Sequence, residues 1–423
     1  MKVLIETFGC RANRYDSERV RFLVLATGGE LVDSAEDADV AVFNSCAVTA
    51  DAEADLRQRV RRRARENPRI RSVIMGCASG LEIHQRKSHF SEDRVPLLTL
   101  PTVDTLVAGA DFDAVAKALG VMAAKSVVEQ SGARGLLRIQ DGCDEHCTFC
   151  ATTIARGANR SRPVAELVEE ATEIARSKNE IVLTGVHIGS YGSDTGTSLS
   201  ALVETLIASA PPVRFRLSSL EATEVDDRLL ELFRGDPRRL VPYLHAPLQS
   251  GSDSVLKRMG RHWYDARSYA AAIERIVDGH AWFGLGADVI AGFPGETEVE
   301  HAETLALIRS LPFTALHVFP YSARPGTAAR RLRTKVPFTE MTRRARELRA
   351  IAADKAGAYA KRRAGSNADV VVIRAADPRS GKAGEGLTED FLTVALVDGS
   401  LNRGSRFDAT LVPGGWDLVA RPL

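Results

Sequence analysis

The amino-acid sequence predicts an α/β multidomain protein, with an N-terminal parallel-sheet α/β domain, a central partial (β/α)6 barrel and a small C-terminal β-barrel. Two observations lead to this fold class. Apolar strand-like runs alternate with helical patterns through most of the chain. After Gly365 and Ser366 the pattern changes to short period-two runs separated by Gly, Asp and Pro. We place the domains at residues 1–125, 126–363 and 364–423.

Composition and simple motifs argue against several classes of protein. The 423 residues are 44% hydrophobic and 26% charged, with a net charge of +1, so any nucleic-acid footprint must be local. No apolar run approaches the ~18 residues of a membrane span, and Glu6 interrupts the start before a signal-peptide core. We therefore expect a cytoplasmic protein. The phosphate-binding pattern G-x-x-x-x-G-K-[ST] is absent, which argues against a nucleoside triphosphatase.

The N-terminal third predicts strands that each lead to a cysteine. The strands are Val3–Thr7, Asp39–Asn44 and Ser72–Gly76, and the cysteines are Cys10, Cys46 and Cys77. One helix is predicted to open at Asp16 and end near Thr27, and another to run from about Thr49 to Arg65. Because parallel strands share one carboxyl edge, these thiols should meet and hold a metal cluster. The alternative is three separate buried cysteines that act as small hydrophobes.

The next cysteines lie in one loop, Gly142–Cys150, directly after the apolar run 135–139. Cys143, Cys147 and Cys150 are spaced C-x3-C-x2-C. Three thiolates can hold three corners of a four-iron cluster and leave one iron open to another ligand. The alternative is a zinc site completed by His146 or a distant histidine. All six cysteines lie in the first 150 residues, too few for a disulfide scaffold in so long a chain.

The strands after this loop predict an open barrel of six βα units, counting the strand before the loop. They are Ile181–Thr184, Arg214–Ser218, Tyr243–His245, Ala287–Ile290 and Ala315–Val318, and each ends at a polar or Gly-rich segment. Such segments can approach a cofactor, although a single glycine also serves a tight turn. His187 and His245 fit either a site or a satisfied structural role. Glu221 fits either a ribose hydroxyl or a helix cap.

Two stretches are strongly basic. Residues 57–71 hold eight arginines and one acid, Glu66. Residues 324–363 hold thirteen Arg or Lys against Glu340, Glu347 and Asp354. Both stretches fit either solvated helix faces or surfaces for a phosphate-bearing or otherwise acidic partner.

The motifs taken together resemble the radical S-adenosylmethionine (SAM) methylthiotransferases along essentially the whole chain. Besides the cysteine loop, they are Thr7–Glu18 (T-x-G-C-x-x-N-x-x-D-S-E), 44–49, Gly76-Cys77, 155–162, 247–252, 292–297 and 319–322. The tail is similar to TRAM, a small β domain that family members use to hold RNA. Residues 151–153 read Ala-Thr-Thr where the family usually has Ile-Ile-Pro.

The resemblance implies a central radical-SAM barrel with two [4Fe-4S] clusters and SAM as cofactors. Cys143, Cys147 and Cys150 would hold the cluster that binds and cleaves SAM, and Cys10, Cys46 and Cys77 an auxiliary cluster. The implied SAM pocket contains Phe149, Gly185, His187, Glu221, Gln249 and Gly292. Implied partners are tRNA, through its anticodon loop, and a reductant protein such as flavodoxin or ferredoxin.

The stretch 183–192 is similar to the branch of this family that acts on N6-threonylcarbamoyladenosine at position 37 of tRNA. That branch methylthiolates C2 of the adenine, with SAM as both radical source and methyl donor. The alternatives are action on isopentenyladenosine in tRNA or on ribosomal protein S12. A more distant alternative is an iron–sulfur RNA-binding regulator without catalysis.

Overall fold

The N-terminal α/β domain is built on a five-stranded parallel sheet. The computed structural model describes residues 1–87, 95–122, 129–377, 379–397, 399–414 and 417–423. The sheet order is β2-β1-β3-β4-β5, so the three predicted strands are neighbours. The strands are β1 (Lys2–Thr7), β2 (Glu30–Leu31), β3 (Val40–Ser45), β4 (Arg71–Gly76) and β5 (Val103–Leu106). The short β2 and β5 form its edges, and sequence periodicity did not reveal them.

Helices cover both faces of this sheet, as parallel strands require. They are α1 (Arg11–Ala26), α2 (Ala50–Glu66), α3 (Cys77–Lys87) and α4 (Phe112–Leu119). The central strand β3 is buried along its whole length. The Thr49 side chain caps α2 by accepting from the amide of Ala52. The predicted domain boundary at residue 125 lies outside the described residues.

The predicted start of the first helix at Asp16 is wrong, because α1 begins at Arg11, directly after Cys10. Asp16 is fully buried in the helix and accepts hydrogen bonds from Arg138 (2.6 Å) and Arg156 (2.9 Å). A polar residue such as Asp16 is typical of the first position of a helix. Here its carboxylate instead faces the central domain, where the two arginines neutralise its charge.

The central domain is an open barrel of six parallel strands in sequential order, which confirms the predicted fold. Two three-stranded sheets, β10-β9-β6 and β11-β12-β13, meet through the bridges Phe215–Leu240 and Ser219–His245. The strands are β6 (Gly135–Arg138), β9 (Glu180–Thr184), β10 (Arg214–Leu217), β11 (Tyr243–His245), β12 (Gly284–Ala291) and β13 (Ala315–Pro320). A separate two-stranded antiparallel sheet pairs β7 (Gln140–Asp141) with β8 (Arg160–Ser161).

Helices surround this barrel and bury the outward faces of its strands. They are α5 (Thr152–Arg156), α6 (Val164–Ala175), α7 (Leu199–Ser209), α8 (Asp227–Arg234), α9 (Asp253–Arg258), α10 (Ala266–Val277), α11 (Glu298–Ser310) and α12 (Phe338–Arg363). Ile181, Leu183 and Phe215 belong to this core. Side chains two residues apart on a strand share a face, so Glu180 and Thr184 point into the barrel. No helix within the described ranges combines the length and apolar character needed to cross a membrane.

The C-terminal tail forms a closed five-stranded barrel in the order β14-β15-β16-β18-β17, as predicted. Its strands are β14 (Asn367–Arg374), β15 (Gly384–Thr388), β16 (Thr393–Leu396), β17 (Arg406–Gly414) and β18 (Asp417–Pro422). Phe391 begins the apolar run 391–396 but lies in a turn with a φ of 72°, outside β16. This small barrel closes the amino-terminal end of the central one, where Arg214 and Arg216 donate to the carbonyls of Asp369 (2.6 Å) and Thr388 (3.0 Å).

Candidate functional site

The structure brings Cys10, Cys46 and Cys77 together at the carboxyl edge of the N-terminal sheet. Each follows a different strand, β1, β3 or β4, and all three are free thiols. Cys46 and Cys77 are buried and Cys10 is exposed, so the group opens to one side. Burial raises the pKa of Cys46 and of Cys77, and the neighbouring thiols raise both further, as expected of sulfurs that share one site.

Arg156 connects this group to the barrel. Its Nε donates to the sulfur of Cys77 at 3.2 Å, and its Nη2 donates to Asn13 (2.8 Å) and Asp16 (2.9 Å). Burial raises the pKa of Cys77 to about 11, although the guanidinium opposes that rise. A buried cation against a cysteine stabilises the thiolate, the form that binds iron.

The second group, Cys143, Cys147 and Cys150, lies in the loop after β7. The amides of Glu145 and Thr152 approach the sulfurs of Cys143 and Cys150 at 3.4 Å. Gly142 holds the start of the loop with a φ of 75°, where a Cβ would lie 1.8 Å from the carbonyl oxygen of Ala158. Only glycine fits this close approach.

A buried ion pair supports Cys147. Arg261 donates to its sulfur at 3.4 Å and to the carboxylate of Glu221, which also accepts from the indole of Trp263. Burial raises the pKa of Cys147 to about 12, with Arg261 opposing. Glu221, a predicted cofactor contact, therefore has both carboxylate oxygens engaged by protein donors in this state.

His187 is the histidine that reaches the cysteine loop. Its Nδ1 lies 3.7 Å from the sulfur of Cys143 and its Nε2 lies 2.8 Å from Glu224. Burial alone would lower the pKa of His187, but Cys143 and Glu224 together raise it to about 10. His146, the alternative zinc ligand, is exposed.

The other predicted cofactor contacts lie at the carboxyl end of the barrel, where Phe149, Gly185 and Gly292 are closely packed and Gln249 has an unusual backbone conformation. Phe149 packs edge-on against Phe293 with 6.4 Å between ring centroids. A Cβ on Gly185 would lie 2.8 Å from Oε1 of Gln140, and one on Gly292 would lie 2.7 Å from Met341. Gln249 has a φ of 64°, which is strained for a residue with a side chain.

The donor sets of the two groups fit iron–sulfur clusters. Each group offers three thiols, and amide or guanidinium hydrogens point at a sulfur in both. Such hydrogen bonds stabilise and tune clusters held by thiolates. Closed structural zinc sites need four protein ligands, and each group provides three thiols among the described residues.

A polar cluster lies inside the barrel near its carboxyl end. Asp288 of β12 lies 3.1 Å from Nε2 of His245 and 3.4 Å from Nδ1 of His317. Burial alone would raise the pKa of Asp288, but the two histidines hold it far below the usual range. His317 and Phe319 lie two residues apart on β13, so their side chains share one face of the strand, and both are exposed. The lumen is therefore open to solvent on this side.

The basic stretches are partly neutralised within the molecule. In residues 57–71, ion pairs engage Arg57, Arg59, Arg62, Arg63 and Arg71. In residues 324–363, Arg324 pairs with Glu53, and Arg344 with Glu296, and both arginines are buried. Neither basic stretch as a whole is therefore free to face an acidic partner. Exposed arginines such as Arg61, Arg65 and Arg69 still fit that role.

Sequence reasoning did not assign Arg156, Arg261, Asp288 or His317 to a site. Arg156 and Arg261 act on sulfurs that are 79 and 114 residues away in sequence, so no local spacing reveals them. Asp288 and His317 could have been found from the sequence, because polar residues within or at the end of a barrel strand often belong to a functional site.

Comparisons with known proteins agree with this organisation. Residues 2–95 match the family described as uncharacterized protein family UPF0004, and residues 137–308 match the radical SAM superfamily. The chain is 33% identical to threonylcarbamoyladenosine tRNA methylthiotransferase MtaB of Thermotoga maritima, over 87% of this chain and 86% of that protein. It is 32% identical to tRNA-2-methylthio-N(6)-dimethylallyladenosine synthase of Erythrobacter litoralis, over 99% of this chain and 96% of that protein.

Among solved structures, the fold is similar to the radical S-adenosylmethionine methyltransferase TsrM from Kitasatospora setae, with a TM-score of 0.55. The match covers 78% of this chain and 76% of that one at 12% sequence identity. At that identity the likeness concerns the fold alone.

Proposed function

The chain belongs to the radical-SAM methylthiotransferase family, and we propose that it methylthiolates C2 of N6-threonylcarbamoyladenosine at position 37 of tRNA. The product would be 2-methylthio-N6-threonylcarbamoyladenosine. The observation that carries the enzymatic part is the pair of three-cysteine groups. The loop group ends at Cys150, directly before α5, and Arg156 of that helix donates a hydrogen bond to Cys77 of the other group.

We assign the loop cysteines Cys143, Cys147 and Cys150 to the cluster that binds SAM. Cys10, Cys46 and Cys77 would hold a second, auxiliary cluster that carries the sulfur. When bound, these clusters and SAM supply the electron transfer, the radical source, the sulfur and the methyl group that the reaction needs. A small electron-transfer protein such as flavodoxin or ferredoxin would supply the electrons.

The protein residues around the sulfurs position and shield these groups. Arg261 places a cation on Cys147, and Arg156 places another on Cys77, which favours both thiolates. Because Trp263 and Arg261 both donate to Glu221, a SAM hydroxyl that binds this carboxylate must share or displace one of those donors. Phe149 and Phe293 keep this part of the barrel end apolar.

The tRNA substrate is inferred from relatives named as tRNA methylthiotransferases, which match across most of the chain. Their names divide between threonylcarbamoyladenosine and dimethylallyladenosine at almost equal identity, 33% and 32%. The choice of the first nucleoside therefore depends on the stretch 183–192 and on the charged lumen of the barrel. The C-terminal barrel and exposed arginines would hold the anticodon loop.

Mass spectrometry of tRNA nucleosides tests this proposal directly. Cells that lack the gene should lose 2-methylthio-N6-threonylcarbamoyladenosine and accumulate its parent without the methylthio group. A plasmid copy of the wild-type gene should restore the product, whereas a copy with Cys147→Ala should not.

An unchanged level of that nucleoside in the deleted strain would contradict the substrate assignment. Loss of the 2-methylthio isopentenyl nucleoside would then identify the alternative tRNA substrate. Loss of the methylthio group from ribosomal protein S12 would identify the protein substrate. A protein that fails to cleave SAM on reduction would instead be the non-catalytic regulator.

A further inference from the structure

One arginine inside the barrel has no carboxylate partner. Arg11 is the first residue of α1 and directly follows Cys10, yet its side chain points away from the sheet toward the barrel interior. Its guanidinium carbon lies 5.6 Å from the centre of the Phe391 ring, which belongs to the C-terminal domain. Among the described residues, Arg11 makes no ion pair and no hydrogen bond with an acid.

Glu180, an acid that acts on Arg11 electrostatically, cannot serve as that partner because other cations already engage it. Glu180 pairs with Arg134 (3.0 Å), Arg214 (2.6 Å) and Arg216 (2.9 Å). Arg134 and Arg216 also lie against the same Phe391 ring as Arg11. Glu180 therefore binds three guanidiniums, of which Arg214 also pairs with Asp369 (3.2 Å), and Arg11 is bound by neither carboxylate. An anion at this position would be stabilised.

The lumen beside Arg11 offers further donors. Tyr243 is 2% exposed, and its hydroxyl makes no hydrogen bond among the described residues. A Cβ on Gly286 would lie 3.0 Å from that hydroxyl and 2.7 Å from Nδ1 of His245, so the glycine keeps this part of the lumen clear. Arg11 lies within electrostatic range of both Tyr243 and His317.

These groups match the chemistry of a carboxylate-bearing ligand. A guanidinium binds a carboxylate strongly, and a phenol hydroxyl adds a neutral donor. The pair formed by Asp288 and His317 can accept from an amide or a hydroxyl on the same ligand. An apolar substituent would leave Arg11 and the Tyr243 hydroxyl buried without partners, which is unfavourable.

We propose that Arg11, with the hydroxyl of Tyr243, binds the carboxylate of the substituent on N6 of the substrate adenine. This inference rests on the proposed function, because only a substrate such as threonylcarbamoyladenosine carries that carboxylate. It makes Arg11 a specificity residue that favours an acidic N6 substituent over an apolar one. Arg11 directly follows Cys10, which is assigned to the auxiliary cluster. The residue that recognises the substrate and a ligand of the sulfur-bearing cluster are therefore neighbours in the chain.

The test is a double-mutant cycle between the enzyme and its substrate. Reconstituted holoenzyme, as wild type or Arg11→Met, is assayed on two tRNAs that differ at position 37. One carries the natural threonine carboxylate and the other carries the corresponding carboxamide. We expect Arg11→Met to lower kcat/KM about 10- to 100-fold on the carboxylate substrate and only a few-fold on the carboxamide. Most of the loss should be in KM.

Two further variants separate this role from damage to the structure. Arg11→Lys keeps the charge and should retain part of the preference for the carboxylate. Arg21→Met removes another arginine from α1, one whose partner is Glu18 on the same helix. It should leave kcat/KM unchanged on both substrates. Iron and sulfide content and the electron paramagnetic resonance spectrum of each holoenzyme establish that both clusters are still bound.

The outcomes distinguish the two proposals. If wild-type holoenzyme modifies neither tRNA, the proposed function fails. If wild type is active and Arg11→Met lowers kcat/KM equally on both substrates while both clusters are retained, Arg11 has a structural role and this inference is wrong. If wild type does not distinguish carboxylate from carboxamide, the lumen does not bind the charged group and the inference is also wrong.

Discussion

The two groups of three cysteines are assembled by opposite routes. Cys143, Cys147 and Cys150 lie within eight residues of one loop, and local backbone geometry sets their spacing. Cys10, Cys46 and Cys77 span 68 residues and meet only because three parallel strands end at the same edge. The loop group therefore needs little of the fold to form, whereas the sheet group depends on the register of β1, β3 and β4.

Their electrostatic support differs in the same way. The guanidinium on Cys147 comes from Arg261, within the same barrel domain. The guanidinium on Cys77 comes from Arg156, which belongs to the barrel and not to the sheet that carries the cysteine. The sheet group is thus completed by a residue of the central domain. Its stability should therefore depend on the contact between the N-terminal and central domains.

Removing one thiol from either group should change the activity most. Both Cys147→Ala and Cys46→Ala should abolish methylthiolation and remove about half of the iron bound by the reconstituted protein. Only Cys147→Ala should also abolish reductive cleavage of SAM, because that activity is assigned to the loop group. Iron analysis and chromatography of 5′-deoxyadenosine measure the two properties. Loss of SAM cleavage in Cys46→Ala with the loop cluster intact would contradict this division.

A smaller effect should come from breaking the connection between the domains. Arg156→Met leaves buried Asp16 with Arg138 alone and removes the cation from Cys77. We expect a loss of about 3 kcal/mol in the free energy of unfolding, measured by urea denaturation of the metal-free chain. The auxiliary cluster should be lost before the loop cluster on titration with a chelator.

Arg160→Met is the matched control for Arg156→Met. Arg160 is exposed and contacts the same acid, Asp141, at 3.4 Å, whereas Arg156 contacts it at 3.0 Å. Its removal should change the free energy of unfolding by less than about 1 kcal/mol and leave both clusters bound. Equal effects of the two substitutions would show that Arg156 does not hold the sheet group.

The smallest effect should come from a charge in the barrel outside both groups. Glu300 accepts from Arg258 (2.8 Å) and from the amide of Thr297 (2.7 Å). Burial alone would raise the pKa of Glu300, but Arg258, Ser254 and the Thr297 amide lower it to about 2. Between that value and the ordinary value near 4.5, the unfolded chain binds more protons, so stability rises with pH across this range.

Glu300→Gln should therefore lower the free energy of unfolding by about 1–2 kcal/mol at pH 7, after allowance for partial exposure. The difference from wild type should shrink below pH 4.5 and vanish near pH 2. Denaturation curves at several pH values measure it. Glu298→Gln, at an exposed acid of the same helix, should have a smaller effect. A difference that persists at pH 2 would mean that charge is not the cause.

Much of the fold was predictable because strand-to-helix alternation leaves a clear periodic signal. The three inner N-terminal strands, the six barrel strands and the change to short strands in the tail were all found from sequence. The edge strand β2 was missed because two residues carry no periodicity. The start of α1 was misplaced because Asp16 and Ser17 are buried polar residues, which sequence patterns treat as exposed.

The candidate site divides along the same line. Both cysteine groups were predictable, because a dense C-x3-C-x2-C loop and cysteines at equivalent strand ends follow from local and topological rules. The cations that support them were not, since Arg156 and Arg261 are distant in sequence from Cys77 and Cys147 and reach them only through the packing of the domains. The tertiary structure also decided that Arg11, next to a cysteine in the chain, enters the barrel instead. A side chain's direction and its partners depend on how domains pack, and no spacing of residues in one segment encodes that.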